Sequence, residues 1–131
     1  MMKKIALILL LCLPLLMAQT VVYVNSAVVT WNLSAGLADG SAFLPGDVIT
    51  YEVVIARPAD KVHFTLLGTT ALPPYTVTLP AEGDWVVGVR TIRVAGTERL
   101  LSEFLWSDGT TSPFILRFYK GPAVPTNLRL Q

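Results

Sequence analysis

One histidine, one cysteine and nine acidic side chains are the material for chemistry in this chain. His63 would need partners at set spacings to serve as a general base or a metal ligand. A nucleophilic serine is marked by G-x-S-x-G and a zinc helix by H-x-x-x-H, and neither pattern surrounds His63. It stands in Val62-His63-Phe64-Thr65-Leu66, whose alternation suits a surface position on an edge strand. Glycoside hydrolysis needs two carboxylates facing each other across a cleft. The nearest pairs, Glu98 with Glu103 and Glu82 with Asp84, fall in or beside turns and edge strands, where a solvated charge discourages edge-to-edge association. Asp39, Asp47 and Asp60 are too dispersed for a calcium loop. We therefore expect no catalytic residue, no metal ligand and no cofactor: a protein that is not an enzyme.

The elements that would position any site begin after a leader. Lys3 and Lys4 precede the apolar run Ile5–Leu16, and Met17-Ala18 supply a small residue at its end. Basic start, short apolar centre and small residue are the layout of a secretory signal peptide, and the run is too short to span a bilayer. Residues 1–18 are read as a signal helix cleaved after Ala18, leaving 113 of the 131 residues as one domain that is secreted or periplasmic. Loss of the two lysines takes the net charge from +1 to −1. That near-neutral balance, without a basic stripe, excludes nucleic acid and anionic lipid as expected partners. Cys12 leaves with the leader, so the remainder is expected to form no disulfide. No membrane span is expected once the leader is gone.

Past Ala18 every strong signal has period two. Ala27, Val29, Trp31 and Leu33 alternate with Val28, Thr30, Asn32 and Ser34. Ile49, Tyr51, Val53 and Ile55 alternate with Thr50, Glu52, Val54 and Ala56, and Trp85, Val87 and Val89 with Val86, Gly88 and Arg90. Tyr75, Val77 and Leu79 make a shorter run. Such patterns predict strands with one face on a core. Turn residues separate them: Pro45-Gly46-Asp47, Arg57-Pro58, Pro73-Pro74, Glu82-Gly83-Asp84 and Ala95-Gly96. With no amphipathic helix on offer, the pattern predicts an all-β, two-sheet antiparallel sandwich.

Trp31 at the end of the second strand, Tyr51 in the third, Leu79 in the fifth and Trp85 six residues later form an ordered set. With Asp39-Gly40-Ser41 and Leu44 between Trp31 and Tyr51, this order resembles the fibronectin type III domain, particularly its bacterial secreted and phage-borne versions. The likeness covers about residues 21 to 107 and implies an immunoglobulin-like sandwich of about seven strands, the domain occupying 19–107. In that family a tyrosine follows the leucine, plugs the core edge and returns its hydroxyl to the corner backbone. Here Trp85 replaces it. An indole fills the space and donates one hydrogen bond but accepts none. Residues 108–131 form a C-terminal extension with one extra strand in Ser112–Tyr119 and a Pro-rich tail.

Two segments are candidate contact surfaces. In the loop from Ser34 to Asp47, Leu37, Phe43 and Leu44 are apolar residues beside Asp39 in a stretch that should face water. They cap the sandwich or present an adhesive patch. In the tail, Tyr119, Leu128 and Leu130 are candidate contacts, with Thr126 to Leu130 able to add a strand to a neighbouring subunit. The expected function is a non-enzymatic secreted binding or structural module whose partner is a protein or a surface glycan. Alternatives are a phage virion or surface-filament subunit assembling through its tail, with self-association, and a small carbohydrate-binding module using Tyr23, Tyr75 or Tyr119.

Overall fold

The computed structural model describes residues 18–131 and is all-β; the expected signal helix lies outside the described residues. The strands are β1 (Thr20–Tyr23), β2 (Ser26–Val29), β3 (Val48–Arg57), β4 (Asp60–Thr70), β5 (Tyr75–Thr78), β6 (Gly83–Ala95), β7 (Glu98–Leu101), β8 (Leu105–Trp106) and β9 (Phe114–Phe118). One 3-10 turn, Ser107–Gly109, follows β8. Among the described residues no helix is long and apolar enough to cross a membrane.

The larger sheet runs β1-β9-β6-β3-β4, and the smaller pairs β2 with β5. β6 organises the larger one. Along one edge it pairs with β3 from Val86 to Val94. Along the other it meets β9, then β8, then β7. The return strand is thus broken into three pieces, which is why nine strands form among the described residues rather than about seven. β1 lies parallel to β9, with Thr20 opposite Phe114, so the sheet is mixed and not purely antiparallel. β9 is the expected extra strand of the C-terminal extension. It is an inner strand, held between β1 and β6, and it places Leu116 in the core at 2% exposure.

The core lies between the sheets, where Val29 and Val77 from the small sheet meet Val53, Ile55, Trp85, Val87 and Leu116 from the large one. Leu79 joins them just past the end of β5. Alternation accounts for this set. It does not account for the reverse face of the large sheet, where Val54, Ala56 and Val86 are also almost fully buried. Their cover is aromatic: Phe64 and Trp106 pack on Ala56, Val86 and Ile115. At Gly88 a β-carbon would come within 2.7 Å of the Trp106 ring, so glycine there is what lets the indole lie on the sheet. Phe104 stands 5.0 Å from both Phe64 and Trp106, centroid to centroid.

Glu52, expected on a polar face, sits under this cover at 4% exposure. Arg90 Nη2 donates to its Oε1 at 2.7 Å and Arg99 Nη2 to its Oε2 at 3.1 Å. A carboxylate without partners at that depth would cost several kcal/mol. The Arg90 guanidinium also lies 4.5 Å from the Phe104 ring centre, so its charge is met on two sides.

β2 stops at Val29, short of the run expected to reach Leu33. Val29 pairs with Tyr75, and the preceding residue on the partner strand is Pro74, which has no N–H to continue the ladder. Trp31 is consequently outside the strand and half-buried, its ring 5.5 Å from Tyr51, and it packs on the margin of the core. Trp85 is in the core at 7% exposure. Its Nε1 donates to the Ala81 carbonyl at 2.9 Å, so the corner bond is made by the indole donor in place of a hydroxyl. Arg57 stacks on the outer ring face at 3.7 Å.

These contacts separate two substitutions. Trp85→Ala should cost about 3–5 kcal/mol by emptying the corner. Trp85→Phe should cost about 1–2 kcal/mol, for the lost hydrogen bond and a weaker cation–π contact. Urea unfolding of both variants measures the difference, and equal losses would remove the bond to Ala81 from the account.

Candidate functional site

The small sheet faces only part of the large one. Beyond Val29 the chain crosses the exposed end of the inward face, and the loop from Ser34 to Asp47 is built there from short-range bonds. Ser34 is fixed first: its N–H donates to the Tyr51 hydroxyl at 2.9 Å, and its hydroxyl pairs with that of Thr91. Tyr51 and Thr91 are direct neighbours across β3 and β6, so the loop starts from the sheet itself. The Leu37 N–H donates to the Ser41 carbonyl at 2.8 Å, closing a tight turn over Asp39. A β-carbon on Gly36 would lie 2.3 Å from that same carbonyl oxygen, so only glycine permits the turn. The Asp39 carboxylate accepts from the Ser41 N–H at 3.0 Å and from its hydroxyl at 2.6 Å, which holds its pKa below the usual aspartate value.

The loop closes through Asp47. Oδ2 accepts from the Leu44 N–H at 2.9 Å and from Arg93 Nε at 2.8 Å, and the Arg93 bond is the main reason its pKa is lowered. Arg93 belongs to β6, so this ion pair ties the far end of the loop to the same sheet that anchors its start.

Between loop and sheet lies a groove of about 460 Å³. Its floor is Thr91 and Arg93, one wall is β7 with the side chain of Leu100, which pairs with Arg93, and the other is Leu37 and Phe43 of the loop, with Asp39 also in its lining. Leu101 pairs with Ile92, so its side chain belongs to the reverse face. The volume is in the range of small-ligand and side-chain pockets, and the walls are apolar. Of the expected contact loop, Leu37 and Phe43 turn toward the sheet and are half-buried, whereas Leu44 is 58% exposed. Leu100 and Leu101 were not singled out by sequence. Their strand is exposed at every position, and a Leu-Leu pair at such a place is the signal that would have found them.

The opposite end of the sandwich carries the tail residues. Tyr119 is 63% exposed, and it shares a surface depression with Tyr23 and Arg117. Asp84 is not a solvated turn carboxylate: Arg117 grips it with Nε to Oδ1 at 2.6 Å and Nη2 to Oδ2 at 2.8 Å. The contact lowers the pKa of Asp84 and raises that of Arg117. Tyr75, half-buried, lays its hydroxyl against Gly68. Leu128 and Leu130 are fully exposed.

The remaining chemical candidates are dispersed. His63 is exposed on β4 and its Nδ1 lies 2.9 Å from Asp60 Oδ1. Glu98 and Glu103 are exposed near β7, and Glu82 accepts from the backbone N–H of Lys120. Among the described residues no three His, Cys, Asp or Glu side chains gather at one point. No family model matches the chain, and neither a curated protein nor a solved structure matches it.

Asp47 and Asp84 give a pH dependence. Both have folded pKa values below the unfolded aspartate value of about 3.9, so their stabilising contribution is complete above it and is lost as pH falls through the lowered values. The urea midpoint should stay level from neutral pH to about pH 5 and drop below about pH 4. Asp84→Asn should lower the midpoint at neutral pH and flatten the acid limb; a variant with the wild-type acid limb would dissociate the Arg117 contact from acid stability.

Proposed function

We propose that this chain is a non-enzymatic binding module of fibronectin type III type, exported by its N-terminal segment, which binds an apolar segment of a protein partner in the groove under the loop from Ser34 to Asp47. Two features support the family reading. β2 and β5 face a larger sheet containing β3, β4, β6 and β9, the division of strands found in immunoglobulin-like sandwiches. Leu79 and Trp85 also sit at a strand-to-strand corner, with a ring bonded back to the corner backbone.

The observation that carries the binding reading is the groove itself. Leu37 and Phe43 stand on one side of it and Leu100 on the other, and Leu100 remains 44% exposed. A loop held at both ends by Tyr51, Thr91 and Arg93 loses little freedom when a ligand enters, which favours affinity. The chemistry selects for apolar side chains, with one carboxylate, Asp39, to favour a cationic flank.

An anilinonaphthalene sulfonate dye tests the site. The full chain should bind it with enhanced, blue-shifted emission, and Leu100→Asp should abolish most of that signal while leaving the near-ultraviolet circular dichroism unchanged. Leu44→Asp, on an exposed residue that does not line the groove, should leave it intact. Equal dye binding by wild type and Leu100→Asp would sink the reading.

A further inference from the structure

The residues after β9 carry a period-two pattern of their own. Val124, Leu128 and Leu130 are 83%, 102% and 100% exposed, and Thr126 falls in step with them. Asn127 and Arg129 take the alternate positions. An apolar stripe at strand spacing, uncovered along its whole length, is an edge made for another surface.

The tail and the groove are at opposite ends of β6. Phe118, from which the tail leaves, pairs with Gly83 at the start of that strand, whereas the groove floor is Thr91 and Arg93 near its end. At ~3.3 Å per residue the separation along the strand is about 30 Å. Leu128 lies ten residues past Phe118 and could span that distance only with the chain between them almost fully straight. Asn127, at φ 60°, already departs from an extended path. A neighbouring molecule has no such restriction.

Charge favours the same pairing of tail and groove. The side chain of Asp39, at the groove, accepts bonds only from Ser41 among the described residues. The Arg129 guanidinium makes one long contact, 3.4 Å, to the carbonyl of Asn127. In an extended tail Arg129 projects opposite to Leu128 and Leu130. With the two leucines in the groove it would face the rim.

We propose that residues 122–131 of one molecule lie in the groove of a second copy of this chain. Leu128 and Leu130 then pack against Leu37, Phe43 and Leu100, with Arg129 beside Asp39. The inference rests on the binding role of the groove proposed above and names its occupant. Donor and acceptor are different patches on one molecule, so the contact is heterologous and propagates from copy to copy.

The test uses the full chain and a fluorescent peptide of residues 121–131. Anisotropy should show saturable binding, weakened at least about tenfold by Leu128→Asp in the peptide or by Leu100→Asp in the protein. In the ultracentrifuge the wild type should grow in mass with concentration, whereas Leu128→Asp/Leu130→Asp and Leu100→Asp chains should each stay monomeric. Mixing those two variants should restore a dimer that does not grow, since only one intact donor meets one intact acceptor. Dye binding lost in Leu100→Asp, with no peptide binding in any chain, overturns the tail proposal and leaves the groove reading standing. Loss of neither overturns both. A monomeric wild type, with the peptide binding only to the Leu128→Asp/Leu130→Asp chain, would show the tail in its own groove and end the second-copy assignment.

Discussion

Burial of β6 on both faces is the constraint from which the rest of the molecule follows. Its inward residues Trp85 and Val87 enter the core between the sheets, and its outward residues Val86, Gly88 and Ile92 are buried on the reverse side. A strand so placed must have both edges paired as well, or its backbone groups would be left without partners. β3 satisfies one edge in a continuous ladder. The other edge is satisfied by β9, β8 and β7 in turn, with the Ser107 hydroxyl accepting from the Val87 N–H at 3.0 Å where the ladder is interrupted. The breaks carry the chain out of the sheet plane, and Phe104 and Trp106 on either side of β8's first residue are what cover the reverse face.

The charged residues do related work at the boundaries of this arrangement. Each of three carboxylates joins segments far apart in sequence: Glu52 to Arg90 and Arg99, Asp47 to Arg93, and Asp84 to Arg117. Replacing a buried pair with apolar groups is often neutral, so these contacts are better understood as fixing register than as adding much net stability. Asp84 sets β9 against the first residues of β6. Asp47 sets the loop against its last residues. Two anchors at the two ends of one strand leave the intervening core to be filled by aliphatic side chains, which have no directional preference of their own.

The strands with one buried face were legible in sequence because period two is a direct consequence of the pleat. β3, β6, β9 and the inward set of each follow from it, as does the position of Trp85 at its corner. Trp85 also shows how far residue chemistry carries: an indole donates where a phenol does both, and the bond to Ala81 uses the donor. The second buried face was not legible. Val54, Ala56 and Val86 break the polar half of their alternations, but the cover comes from Phe64, Phe104 and Trp106, and two of these lie in a segment with no periodicity at all. Glu52 was misplaced for the same reason, since nothing local to it reports an arginine from β6 and another from β7.

The groove is the least local feature, and it follows from a mismatch of strand lengths. β2 and β5 have four residues each, against thirteen in β6. At ~3.3 Å per residue the small sheet covers roughly 13 Å of a face roughly 43 Å long. β2 cannot lengthen past Val29 because the residue before its partner strand is Pro74, so the inward face beyond Val89 must find another cover. The loop from Ser34 to Asp47 supplies one, but a loop satisfies its own backbone through turns and cannot lie flat on a sheet as a strand does. It touches down at Ser34 and Asp47 and arches between them, and the space beneath the arch is the groove. Were β5 extended through the Pro73-Pro74 position, β2 would pair on through Trp31 and Leu33, the inward face would close, and the site would vanish. A partner's strand laid under that arch would complete the coverage that the short sheet leaves unfinished.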